Sequence, residues 1–113
     1  MAKAAVDLTH LARYTGGDEG LNAEVLRLFD EQASELVARL QSILAARDAK
    51  SWRHVAHTLK GAARGIGAFA LGDAAAFAEA VDPADHANAT PALAALRANA
   101  DDVRAFIRKY LAR

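Results

Sequence analysis

The 113-residue chain has no cysteine, which excludes a disulfide framework, cysteine-ligated zinc and thiol nucleophiles. It has no net charge, 14 Lys and Arg against 14 Asp and Glu, so no global field recruits nucleic acid or an anionic membrane. No apolar run approaches the roughly 20 residues needed to cross a bilayer. The opening residues, Met1 to Asp7, lack the long apolar segment and cleavage pattern of a secretory signal. There is no P-loop string and no glycine-rich nucleotide loop, so ATP binding is not expected. Proline is scarce, with two in the chain, whereas alanine occurs 30 times. Alanine has the lowest cost of helix formation, and 53% hydrophobic content at this length suits one core. The expectation is a single all-α domain over residues 1–113, soluble and cytoplasmic.

The periodicity of apolar residues divides the chain into five helices. A short first helix is predicted from about Asp7 to Tyr14, with Leu8 and Leu11 on one side and Thr15-Gly16-Gly17 ending it. Asp18 is a natural N-cap for a long second helix ending near Ala46. Its core stripe would be Leu21, Val25, Phe29, Ala33, Leu36, Leu40 and Ile43, widened by Leu26, Val37 and Leu44. A third helix is predicted from about Ala49 to Ile66 on the stripe Trp52, Val55, Leu59, Ala62 and Ile66. A fourth, from about Ala68 to Ala80, would bury Leu71, Ala74 or Ala75, and Ala78. Asp82-Pro83-Ala84-Asp85 reads as a turn. Thr90 followed by Pro91 reads as the cap and first position of a fifth helix, with Leu93, Leu96, Ala100, Val103, Ile107 and Tyr110 or Leu111 inward. Short connections between four long amphipathic segments imply an antiparallel four-helix bundle, with the short N-terminal helix as an addition.

The outer face of the third helix is unusual. On a wheel of about 100° per residue, Lys50, Arg53, His54, Lys60, Gly61 and Arg64 fall within about 60° of His57, opposite the core stripe. No acidic residue occurs between Ala49 and Gly72, so Lys50, Arg53, Lys60 and Arg64 give this strip a formal +4. A solvated face carrying two histidines would look much the same, but Gly61 argues otherwise. Mid-helix glycine costs about 1 kcal/mol relative to alanine, in a chain that uses alanine freely. Its missing side chain leaves space beside the imidazole, and Lys60 can bring an ammonium to that space. An imidazole, a cation and a steric gap suit a phosphoryl group.

The string His57-Thr58-Leu59-Lys60-Gly61-Ala62-Ala63-Arg64-Gly65-Ile66-Gly67 resembles the signature of the histidine-containing phosphotransfer (HPt) domain family, H-x-L-K-G followed by small residues and a glycine. Helix number, helix lengths and total size resemble a single-domain HPt protein over essentially the whole chain. The resemblance implies that His57 is the phosphoacceptor through Nε2, that Lys60 stabilises phosphoryl charge, and that Gly61 gives a receiver domain room to dock. Gly67 matches the glycine that ends the signature helix. The family often places a Gln or Glu 22 residues after the histidine to hydrogen-bond the imidazole, and here that residue is Glu79. Arg53, His54 and Arg64 lie outside the signature, and only the wheel suggests them as partner contacts.

The implied partners are receiver domains of hybrid histidine kinases and response regulators, which would supply the phosphorylated aspartate and a Mg²⁺ ion. The chain itself would need no cofactor or metal, would bind no nucleic acid or membrane, and is expected to be monomeric. It would be a phosphocarrier rather than an enzyme, with no autophosphorylation. Three other readings compete. A sensor-kinase dimerisation domain usually follows its histidine with an acidic residue, unlike Thr58. A metal site using His54 and His57 would be opposed by the surrounding positive charge, and the Glu-x-x-His pairs of di-iron bundles are missing. A non-catalytic helical adaptor, in effect a degenerate HPt domain docking on receivers, would not need the retained trio His57, Lys60 and Gly61.

Overall fold

The computed structural model describes residues 4–113; residues 1–3, the start of the segment read above for a secretory signal, lie outside them. The described residues form five α-helices and no strand: α1 (Leu8–Thr15), α2 (Glu19–Ala46), α3 (Ala49–Gly65), α4 (Phe69–Glu79) and α5 (His86–Leu111). Each of the first three begins at an aspartate whose side chain accepts from free backbone N–H groups. Asp7 takes those of Thr9 and His10, Asp18 that of Leu21, and Asp48 that of Ser51. Gly16, at φ 66°, ends α1 in the left-handed region that glycine enters at little cost.

Helices α2 to α5 form a ring in which sequence neighbours pack together and α5 closes back on α2. The side-chain pairs run antiparallel. Asn22 meets Tyr110 and Asp30 meets Arg104 across α2 and α5, while Trp52 meets Ala78 and Arg64 meets Asp73 across α3 and α4. The fold is therefore the expected all-α bundle with a short N-terminal helix. Leu26, Leu40, Trp52, Leu59, Leu71, Leu96 and Ile107 are fully buried at its centre. Burying each such side chain contributes about 1.5–3 kcal/mol relative to exposure. The indole Nε1 of Trp52 donates to the carbonyl of Ala78 at 2.7 Å, so the largest core residue also ties α3 to the last turn of α4. No helix of the described residues is long and apolar enough to cross a membrane.

The structure corrects the start of the fifth helix. Thr90 is not its cap: α5 begins four residues earlier at His86, and Pro91 lies inside it. Extending the helix backward places Ala89 in the core. The backbone carbonyl of Asp85 receives the N–H groups of Asn88 and Ala89, and the Asn88 amide donates to the Asp85 carboxylate at 2.7 Å. These contacts offset the hydrogen bond that Pro91 cannot donate. Leu21, expected in the stripe of α2, is instead exposed, and its neighbour Asn22 is buried. Asn22 accepts from Thr15 Oγ1 at 2.5 Å and donates to Tyr110 Oη at 3.2 Å, a polar cluster joining α1, α2 and α5. On α3 the core takes Ala56 and Ala63 fully, while Ala62 is only half-buried, as is Ala100 on α5.

The connection between α3 and α4 is held from outside. Gly67, at φ 86°, lies so close to Asp7 that an added Cβ would sit 2.7 Å from its carbonyl oxygen. The Asp7 N–H donates back to the Gly67 carbonyl at 3.0 Å. This turn sets how α4 returns along α3, and hence which α4 residue meets the face that carries His57.

Candidate functional site

His57 sits in the middle of α3 with its side chain 67% exposed. α4 runs antiparallel beside it and ends at Glu79, whose carboxylate oxygens lie 2.9 and 3.2 Å from Nδ1 of His57. A carboxylate only accepts hydrogen bonds, so this pairing places the hydrogen of the neutral ring on Nδ1 and leaves the lone pair on Nε2. The same carboxylate accepts from Nζ of Lys60, at 3.0 Å to each oxygen. Three side chains separated by 3, 19 and 22 residues thus form one unit.

The electrostatics of that unit follow from position. Glu79 is the last residue of α4, where unpaired carbonyls make the negative end of the helix and disfavour an anion. Its hydrogen bonds to His57 first and to Lys60 second nevertheless hold its carboxyl below the usual glutamate pKa. The carboxylate therefore stays ionised at neutral pH. Lys60 is 22% exposed and Glu79 17%, so this ion pair is partly shielded, whereas the imidazole above it faces solvent.

The Lys60 ammonium is held on the same Glu79 carboxylate that meets Nδ1 of His57. The basic strip is less bare than the charge count implies. Lys60 pairs with Glu79, and Arg64 lies 3.5 Å from Asp73. Among the described residues, Lys50 and Arg53 carry no ion pair, and His54 lies exposed on the same face without a side-chain partner. Gly61 is exposed, and a Cβ built there would meet nothing within 4 Å, so a flat opening adjoins the histidine. No three His, Cys, Asp or Glu side chains of the described residues cluster as metal ligands.

Sequence reasoning missed Asp73 and Gly72. An exposed aspartate gives no sign of its partner, because pairing depends on which α4 residue the turn brings to Arg64. Gly72 did carry a signal: it is a glycine inside an alanine-rich helix, the same anomaly that singled out Gly61.

The arrangement offers an exposed imidazole nitrogen with a free lone pair, a fixed counter-charge behind the ring, and an open approach. Comparison with known proteins places the chain in a family. The sequence profile described as Hpt domain matches residues 24–106, from the first turns of α2 to near the end of α5. No curated protein and no solved structure matches significantly.

Proposed function

The chain belongs to the Hpt domain family, whose members are phosphocarriers in phosphorelays, and on that premise we propose that it relays a phosphoryl group between receiver domains through His57. The observation that carries this reading is the exposed imidazole whose Nδ1 is occupied by Glu79, inside the H-x-L-K-G string.

In the step from a phosphorylated receiver, the Nε2 lone pair attacks phosphorus, the N–P bond forms, and the bond from phosphorus to the aspartyl oxygen breaks. The aspartate leaves as a carboxylate. The ring then carries phosphate on Nε2 and a hydrogen on Nδ1, and its positive charge is met by Glu79. Transfer to the next receiver is the reverse. Phosphoryl transfer asks the protein for in-line placement and charge neutralisation more than for covalent assistance. His57 is the acceptor in this reading, Glu79 orients it, and Lys60 supplies the nearby cation. Arg53, His54, Gly61 and Arg64 form the surrounding docking face. The receiver brings the aspartate and a Mg²⁺ ion in an acidic pocket, which a basic face complements. The chain acts as one domain, as a monomer in the cytoplasm, and takes its phosphoryl group from a receiver rather than from ATP.

The test is transfer from a phosphorylated receiver to the wild type and to His57→Gln. Transfer to the wild type alone supports the carrier. Equal receiver binding with no transfer to either would identify a docking adaptor instead.

A further inference from the structure

Arg64 occupies a seat that the sequence of α4 leaves open for it. Gly72 is buried in the interior of α4, and a Cβ added there would lie 2.8 Å from Cγ of Arg64. The stem of Arg64 therefore fills the volume that an alanine methyl would take. Glycine at a helix-interior position costs about 1 kcal/mol relative to alanine, and α4 holds alanine at 70, 74, 75, 76 and 78. Packing between α3 and α4 by itself would accept an alanine here and a shorter residue at 64.

The guanidinium at the end of that stem is weakly committed. It is 47% exposed and 3.5 Å from an Asp73 carboxylate that is itself 78% exposed. Solvent-exposed pairs of this kind typically contribute between zero and 1 kcal/mol. Arg64 is also well placed relative to His57. Seven residues put it on the same side of α3, within about 20° and some 10 Å along the axis, beyond Gly61. A partner delivering phosphate to His57 across Gly61 would extend over Arg64.

We propose that Arg64 is a docking residue for the receiver domain, aimed by the Gly72 seat and held by Asp73 until a carboxylate of the receiver replaces Asp73. This rests on the carrier function proposed above and adds to it a specificity contact of stated chemistry: an acidic side chain about 10 Å from the aspartate that exchanges phosphate. Asp73 is then a competitor for the partner's carboxylate and not a tie that strengthens the site.

The signs of the mutational effects separate these roles. If the Arg64–Asp73 pair merely held α3 to α4, removing either partner would act in the same direction. In the competitor role they act oppositely. The probe is the isolated receiver domain that exchanges phosphate fastest among those of the same genome, titrated against the full chain. Arg64→Gln should raise the KM for the phosphorylated receiver by about fivefold, the loss of one charge-assisted contact at an exposed rim. Gly72→Ala should raise it in the same direction by displacing the arginine stem. Asp73→Asn should lower it by about twofold, and the effect of each charge change should shrink at high salt. Circular dichroism reports whether Gly72→Ala still folds, and Asp73→Asn, an exposed change, carries the test if it does not. A rise in KM for both Arg64→Gln and Asp73→Asn, or no change in either, would overturn the proposal. Absence of any transfer to the wild-type chain would instead count against the carrier function.

Discussion

Gly61 is the position where structure and function are expected to pull hardest in opposite directions. It lies inside α3, more than a turn from either end, and a Cβ there would meet no atom within 4 Å. Gly61→Ala therefore adds helix propensity without a clash, a gain of about 0.8–1 kcal/mol. For a domain of this size that corresponds to a rise in Tm of about 4 °C. Gly67 sets the contrast, because its φ of 86° and the Asp7 carbonyl 2.7 Å from the added Cβ oppose any side chain. Gly67→Ala should lose about 2 kcal/mol or more, from left-handed strain together with displacement of the Asp7 segment. Gly61→Gln should keep the fold but fill the opening beside His57, so that transfer from a phosphorylated receiver falls at least tenfold, mainly through a raised KM. Thermal unfolding followed by circular dichroism and stopped transfer assays read the two effects separately. A Gly61→Gln chain that exchanges phosphate at the wild-type rate would refute the idea that this opening admits the partner. A Gly61→Ala chain less stable than wild type would refute the stability argument.

Lys60→Ala should slow transfer by about two orders of magnitude, the usual loss when a positioned cation beside developing phosphoryl charge is removed, while the bundle stays folded. Unchanged rates would remove Lys60 from the mechanism. Glu79→Gln should weaken the bias toward the Nδ1–H tautomer, read from ¹⁵N shifts of the His57 ring, because an amide can either donate or accept where the carboxylate only accepts. An unaltered tautomer ratio would make Glu79 irrelevant to the ring. The lowered pKa of Glu79 also has a stability consequence. A carboxylate whose folded pKa is depressed stabilises the fold above its ordinary pKa of 4.5, and that contribution is lost as pH falls through the lower folded value. Wild type should therefore lose more stability than Glu79→Gln on acidification below about pH 4.5, and parallel acid unfolding curves would contradict this. Asn22→Ala should destabilise the chain by about 1–3 kcal/mol, since it leaves Thr15 and Tyr110 without their buried partner. Loss of under half a kcal/mol in denaturant unfolding would show that water replaces the amide.

The elements that could be read from the sequence are those whose signals are local. The cap Asp18, the helical spacing of Leu26, Phe29, Ala33, Leu36 and Leu40, and the facing of His57 away from Trp52 and Leu59 depend only on neighbours within a few turns. The start of α5 departs from its local signal, because Thr90-Pro91 is a strong cap pattern that burial of Ala89 in a helix begun at His86 overrides. Asn22 lay hidden among apolar neighbours because its partners are 7 and 88 residues away. At the candidate site, the histidine, the lysine and the glycine opening stand within five consecutive residues and were legible together. The capture of Lys60 by Glu79 was not, since it depends on the Gly67 turn bringing the end of α4 to the middle of α3. The seating of Arg64 on Gly72 has the same origin.

The most direct test of the carrier account is to locate the phosphate. The wild-type chain, His57→Gln and His54→Gln are each incubated with a phosphorylated receiver, and the product is followed by ³¹P NMR together with its stability in acid and base. The account predicts one phosphoramidate, labile in acid and stable in base, on the wild type and on His54→Gln, and none on His57→Gln. Phosphate retained by His57→Gln and lost from His54→Gln would contradict it.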